Sequence, residues 1–184
     1  VGYEVVSDSV FSKISDTCTP QGVLCVLKQF HYNIEEMLRD KAPLFLLLEN
    51  IQDPGNLGTM LRTGEGAGVS GIIMSRDTVD LYNPKVIRST MGSIYRVPFY
   101  YADDFAAAVH QVQQAGVSVY AAHLRGKNSY ACQDYTKGTA FLIGNEGNGL
   151  REETAELADC YIRIPMEGKV ESLNAAVSSS ILMY

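Results

Sequence analysis

Residues Leu44-Phe45-Leu46-Leu47-Leu48 form an unbroken apolar run. A strand with one wet face alternates apolar and polar side chains, so an uninterrupted run marks a strand covered on both faces, as in a parallel sheet flanked by helices. Outward from it, further apolar, β-rich stretches fall at 23–27, 71–74, 96–101, 117–121, 140–143 and 161–164. Helices are expected between them at 56–67, 84–93, 103–115, 150–157 and 172–184, with Asp103 as an N-cap and Gly116 as a stop. This rhythm predicts an α/β fold, and by pattern alone a doubly wound open sheet.

Composition narrows the class. With 184 residues, 46% hydrophobic and 20% charged, the chain has the make-up of one globular domain with a substantial core. No apolar run approaches the roughly 20 residues of a membrane span, and the N-terminus lacks the pattern of a signal peptide. A cytoplasmic location without a membrane partner is expected. Cys18, Cys25, Cys132 and Cys160 show no CxxC pairing and read as reduced thiols, and His31, His110 and His123 are scattered, so no metal site is expected. A formal net charge of -6 counts against nucleic acid as a partner. Charge can be local, however, and Arg62, Arg88, Arg96, Arg125, Lys127 and Arg151 fall in or near loop-facing positions.

Gly66-Ala67-Gly68-Val69-Ser70-Gly71 matches the GxGxxG dinucleotide fingerprint in the wrong context. The fingerprint needs a strand before it and a helix after it. Here a helical stretch precedes and a strand follows, so the string reads as a helix C-cap and turn.

Three other loops each leave an apolar run. In the first, Asn56 either caps a helix or serves a site, and Arg62, six residues on, is either a solvated cation or a functional one. In the second, Ile143-Gly144-Asn145-Glu146-Gly147-Asn148-Gly149-Leu150, glycines let backbone amides approach a ligand, and Glu146 is either a helix N-terminal charge partner or an acceptor for a ligand or loop. The third, Ile164-Pro165-Met166 through Ser172-Leu173-Asn174, ends in residues that suit either capping or a site.

Taken in order, Asn56 with Arg62, then Gly144-Asn145-Glu146-Gly147-Asn148-Gly149, then Ile164-Pro165-Met166 and Ser172-Leu173-Asn174 resemble the three motifs of SpoU/TrmH-type RNA ribose 2'-O-methyltransferases of the SPOUT superfamily. The resemblance covers about residues 42–184. It implies a parallel sheet flanked by helices with a deep C-terminal trefoil knot, and a homodimer. The methyltransferase domain would span 21–184. Residues 1–20 would be a linker, or the tail of a mostly absent L30e-like substrate-binding domain.

By the same resemblance the methyl donor is S-adenosyl-L-methionine, leaving S-adenosyl-L-homocysteine, with no metal. Its pocket would comprise Ala122, His123, Leu142, Gly144, Asn145, Gly147, Gly149, Ile164, Met166 and Leu173. Catalytic roles would fall to Arg62, Asn56, Glu146, Ser172 and Asn174. RNA would meet Arg62, Arg88, Arg96 and Arg125, and ribosomal RNA, 23S in particular, is the preferred substrate over transfer RNA. Two further classes remain: a non-catalytic RNA-binding or ribosome-assembly relative, and a nucleotide-binding oxidoreductase.

Overall fold

The structure, a computed structural model, describes residues 2–184. The chain divides into two compact units between Phe30 and His31, beyond the expected boundary at residue 20. In the first unit, helix α1 (Asp8–Ile14) buries none of its residues. The strand expected at 23–27 does not form. Val23, Val26 and Leu27 are exposed, and β-branched residues become a strand only against a partner that packs them.

The second unit is a single sheet with helices on it. Its strands are β1 (Leu44–Leu48), β2 (Gly71–Ser75), β3 (Phe99–Ala102), β4 (Ser118–Ala122), β5 (Asn128–Ser129), β6 (Thr139–Ile143) and β7 (Cys160–Arg163). They lie in the order β3-β2-β1-β6-β4-β7-β5, and every described pairing is parallel. The Leu44–Leu48 run is an interior strand, with Leu46 opposite both Ile72 and Phe141. Alternation sends its side chains to two buried faces. Phe45 and Leu47 join the core that takes Ile34 and Met37 from α2 (Ile34–Met37) and Ala108, Val109 and Val112 from α5 (Phe105–Gln114). Elsewhere α3 (Pro54–Ala67) packs on α4 (Pro84–Ser89) and on α7 (Ala175–Met183), which also touches β6.

Several boundaries move for identifiable reasons. Helix α3 starts at Pro54, whose fixed φ suits the first helical position, and its cap is Asp53, which accepts the Asn56 N–H at 2.7 Å. Helix α5 is capped by Asp104 rather than Asp103, which pairs instead with Arg76. Helix α4 stops at Ser89; Met91 at φ 50° and Gly92 at φ 90° turn the chain into a short 3-10 segment at Ser93–Tyr95, delaying β3 to Phe99. The helix expected at 150–157 shortens to α6 (Glu152–Ala155), and α7 begins at Ala175 behind Asn174 as cap. As the sequence context suggested, Gly66 lies inside α3 and Gly68, at φ 79°, ends it before β2.

Close packing of α3 on α4 depends on Gly58. A Cβ there would sit 1.8 Å from Ser89 Oγ and 2.9 Å from the Val86 carbonyl oxygen. In an open helix, Gly to Ala gains about 1 kcal/mol. Gly58→Ala is expected instead to lose roughly 1–3 kcal/mol to overpacking, whereas Gly66→Ala, which meets only the tip of Tyr184, should be neutral or stabilising. Thermal melts of the two variants check this; equal stability would refute the claimed contact.

Candidate functional site

The loops after β1, β6 and β7 are tied together by one chain of hydrogen bonds. Asn174 Oδ1 accepts the Ala176 and Val177 N–H groups at 2.9 and 3.2 Å. That capping contact turns Asn174 Nδ2 outward, where it donates to Asn56 Oδ1 at 2.9 Å. The other end of the Asn56 amide, Nδ2, donates to Glu146 Oε1 at 3.0 Å. Glu146 in turn accepts the Gln52 and Asp53 N–H groups at 3.1 and 3.0 Å. Donors and acceptors alternate without conflict, so each amide has one permitted orientation. Asp53 makes this possible, because by capping α3 it leaves the Asn56 side chain free.

A carboxylate that only accepts is favoured in its charged form. Partial burial pushes the Glu146 pKa up, but the hydrogen bonds from Asn56, Gln52 and Asp53 outweigh it and hold the group below its ordinary 4.5.

The Glu146 loop has its own scaffold. Asn145 Oδ1 accepts the Gly147 and Asn148 N–H groups, both at 3.0 Å, and Asn145 Nδ2 donates to the Asn50 carbonyl at 2.8 Å. Asn145 and Gly149 exchange backbone hydrogen bonds at 3.0 and 2.9 Å, closing the loop on itself. Gly144 is compulsory at its base, since a Cβ there would lie 2.2 Å from the backbone of Gly149 and Leu150. Beyond the loop, Glu49 at the end of β1, only 1% exposed, accepts the Arg151 N–H at 2.8 Å and the Thr154 hydroxyl. Arg151 also pairs with Asp77. Sequence reading missed Glu49; the signal was a carboxylate closing an apolar run at a strand's carboxyl end.

Against these loops lies a cleft of about 230 Å³ at the carboxyl ends of β4, β6 and β7, a little below the roughly 300–1,000 Å³ usual for ligand sites. Of the ten pocket residues named from the sequence, Ala122, His123, Gly144, Asn145, Gly147, Gly149, Ile164, Met166 and Leu173 line it. Leu142 does not: it is buried in the core on the opposite side of the pleat, and Ile143 faces the cleft instead. Ser172, Glu146 and Glu171 also border the cleft, together with the unanticipated Ile162, Arg163 and Leu182. His123 stacks on Tyr161 with ring centroids 5.1 Å apart. Burial first, then the nearby Arg125 charge, pushes its pKa below 6.5, so the ring is uncharged at neutral pH.

Arg62 is not in the cleft lining. Six helical residues rotate it roughly 120° from Asn56, onto the exposed α3 surface, where it has no hydrogen bond or ion pair among the described residues. Arg88, exposed on α4, is likewise without a described partner. The other two expected RNA contacts are engaged, Arg96 with Glu65 and Arg125 with Glu152. Arg96, together with the Ser93 hydroxyl, holds Glu65 down at about 2.

Fold and cleft define a class: a parallel α/β protein whose ligand cleft is assembled from loops at the carboxyl ends of its strands. Within that class the sequence is specific, for the profile of the SpoU rRNA Methylase family matches residues 43–184, and the chain belongs to that family. It is 34% identical over 180 residues to the 23S rRNA (guanosine(2553)-2'-O)-methyltransferase RlmP of Bacillus subtilis, covering 98% of this chain and 70% of that protein. Against the 23S rRNA (guanosine-2'-O-)-methyltransferase RlmB of Neisseria meningitidis it is 30% identical, covering 92% and 70%. The AdoMet-bound rRNA methyltransferase of Sinorhizobium meliloti superposes with a TM-score of 0.86 at 35% identity, covering 96% of this chain and 68% of that one. The chain thus spans about 70% of the length of these curated relatives.

Because Glu146 titrates lower in the fold than in the open chain, its contribution to stability is complete above pH 4.5 and lost as pH falls through the folded value. Glu146→Gln turns one acceptor into a donor facing the Gln52 or Asp53 N–H. Its melting temperature should fall below the parent's at pH 7, with the gap closing as the pH is lowered beneath 4.5. A gap independent of pH would show that the carboxylate charge is not what holds the loops.

Proposed function

We propose that this chain is the catalytic domain of an S-adenosylmethionine-dependent methyltransferase acting on a ribose 2'-hydroxyl of structured RNA, with ribosomal RNA as substrate. The observation that carries the reading is the Asn174–Asn56–Glu146 chain, which joins all three loops of the family's motifs beside one cleft. The residues present suit the donor. Gly144 and the loop it permits leave backbone groups open at a strand end, while Ile143, Ile162 and Leu182 supply an apolar floor for adenine. Bound there, the donor supplies an electrophilic methyl group on a sulfonium.

The chain's own contribution is placement and charge. Glu146 and Asn56 lock the α3 N-terminus against the cleft, which fixes where α3 presents Arg62. An arginine is a poor general base, because a guanidinium holds its proton far above neutral pH. Arg62 would orient a substrate phosphate by bidentate contact and stabilise negative charge developing on the attacking 2'-oxygen, whose hydroxyl proton passes to bulk water. Its freedom from internal partners suits that role. Ser172, exposed at the cleft edge, and Asn174 organise the third loop. Arg88 extends the basic surface, and Arg96 and Arg125 join it only by exchanging a carboxylate for a phosphate.

We read the C-terminal half as knotted. In support, β7 lies beyond β4 and β6, yet the chain returns from it to α7, which packs on α3. A homodimer, the family expectation, would let RNA span two basic surfaces. Light scattering should give twice the 20.2 kDa chain mass, and a monomer at every concentration removes that part of the reading.

Transfer of labelled methyl groups to total RNA, followed by mapping of alkali-resistant linkages, tests the activity. Parent protein should mark ribose, and Arg62→Ala should be slower by about 100-fold or more. Base methylation, or a fully active variant, would sink the mechanism. A non-catalytic relative predicts no donor binding in calorimetry, and an oxidoreductase predicts binding of NAD instead.

A further inference from the structure

The cleft has an apolar floor and a charged rim. Ile143, Ile162 and Leu182 are buried at 3%, 0% and 5% exposure, whereas Glu146, Arg163 and Glu171 are exposed at its edge. These rim charges are not equivalent. Glu146 is spent on Asn56 and two backbone amides, and His123 is uncharged at neutral pH. Arg163, the last residue of β7, and Glu171, in the loop leading to α7, have no hydrogen bond or ion pair among the described residues, not even with each other. One cation and one anion without described partners therefore border the mouth of a cleft with an apolar interior.

We propose that Arg163 and Glu171 form the subsite for the amino-acid end of the methyl donor, Arg163 taking its α-carboxylate and Glu171 its α-ammonium. The inference rests on the donor-binding reading above. It follows from matching chemistry: a ligand with an aromatic base at one end and a zwitterion at the other fits the cleft in one direction only. The base enters the floor, and the zwitterion stays at the rim, where each charge meets its opposite. Reversing the ligand would strand two charges among isoleucines and leave both rim residues unpaired. The pair also supplies selectivity, since a nucleoside without the amino-acid tail fills the floor but gains nothing from either charge. Because the contacts are partly exposed, they weaken as salt screens them.

Calorimetry of the full chain with two ligands tests this. S-adenosylhomocysteine carries the zwitterion; 5'-methylthioadenosine has the same nucleoside without it. Charge-assisted hydrogen bonds in a cleft predict that Arg163→Gln and Glu171→Gln each weaken S-adenosylhomocysteine by about tenfold. Binding of 5'-methylthioadenosine should be unchanged, and that ligand also reports that the cleft is intact. In the parent chain the preference for S-adenosylhomocysteine should shrink with added sodium chloride, and in the double variant it should be small at every salt concentration. Equal weakening of both ligands, or of neither, overturns the assignment. So does a rise in the RNA KM alone on Arg163→Gln, which would place Arg163 on the RNA backbone. If the parent binds neither ligand, the donor-binding reading itself fails, an outcome distinct from loss of the preference.

Discussion

The carboxylate of Glu146 is the constraint on which the site depends. It accepts from a side chain and two backbone amides of a segment 90 to 94 residues earlier in the chain. Through Asn56 it reaches Asn174, which lies 118 residues beyond Asn56 in the chain. Each link restricts its neighbour: Asn174 can donate only because its oxygen is used in capping α7, and Asn56 can accept from it only because its nitrogen is turned to Glu146. Neutral amides alone would permit flipped arrangements. A charged acceptor at one end and a helix cap at the other leave a single one. Rigid placement of loop side chains is what a site built on strand ends requires, since loops otherwise move.

Backbone crowding provides the second restraint. Gly144 lets the chain fold back until Asn145 and Gly149 bond to each other, and Asn145 then pins the turn from inside and anchors it to Asn50. Asn50 sits at φ 53°, a left-handed conformation that asparagine tolerates better than most residues. Behind this loop, the buried Glu49 gathers Arg151 and Thr154. Breaking either partner would leave a carboxylate without its donors in the interior, so the exit from the loop is held as firmly as its entry. The cleft is thus shaped by polar contacts around its mouth and by the sheet beneath it.

Much of this was legible in the chain. The run at Leu44–Leu48 reads as a buried parallel strand because nothing polar interrupts it, and it lies inside the sheet between β2 and β6. Residues 23–27 have a similar composition and form no strand, because apolar content marks burial only where a neighbour exists to bury it. Pro54 could have decided between Asp53 and Asn56 as cap, since proline at the first helical position points to the residue before it. Leu142 and Ile143 both fall in the stretch read as pocket, but successive strand side chains face opposite sides, so Ile143 lines the cleft while the Leu142 side chain lies in the core. Glu171 lies within the third loop, but nothing in the sequence sets it apart from Glu167 and Lys169 there, and Arg163 lies just outside that loop; the two could be singled out only once the fold brought β7 and its following loop to one cleft.

Net charge of -6 and an RNA substrate are reconciled by how the arginines are distributed. Arg96, Arg125 and Arg151 each face a carboxylate, so they add little to the outward potential. Arg62 and Arg88 face none among the described residues. Both lie on the packed pair α3 and α4, whose close approach depends on Gly58. A phosphate approaching Arg62 or Arg88 need not displace an internal anion, whereas one approaching Arg96 must compete with Glu65, held as a carboxylate down to about pH 2. With a net charge of -6 over the whole chain, the proposed docking of RNA would be favoured where cations face no internal carboxylate, on α3 and α4. That face is tied through Asn56 to the cleft, so on the proposed reading the same hydrogen bonds that hold the loops would set the distance between the RNA-binding surface and the donor.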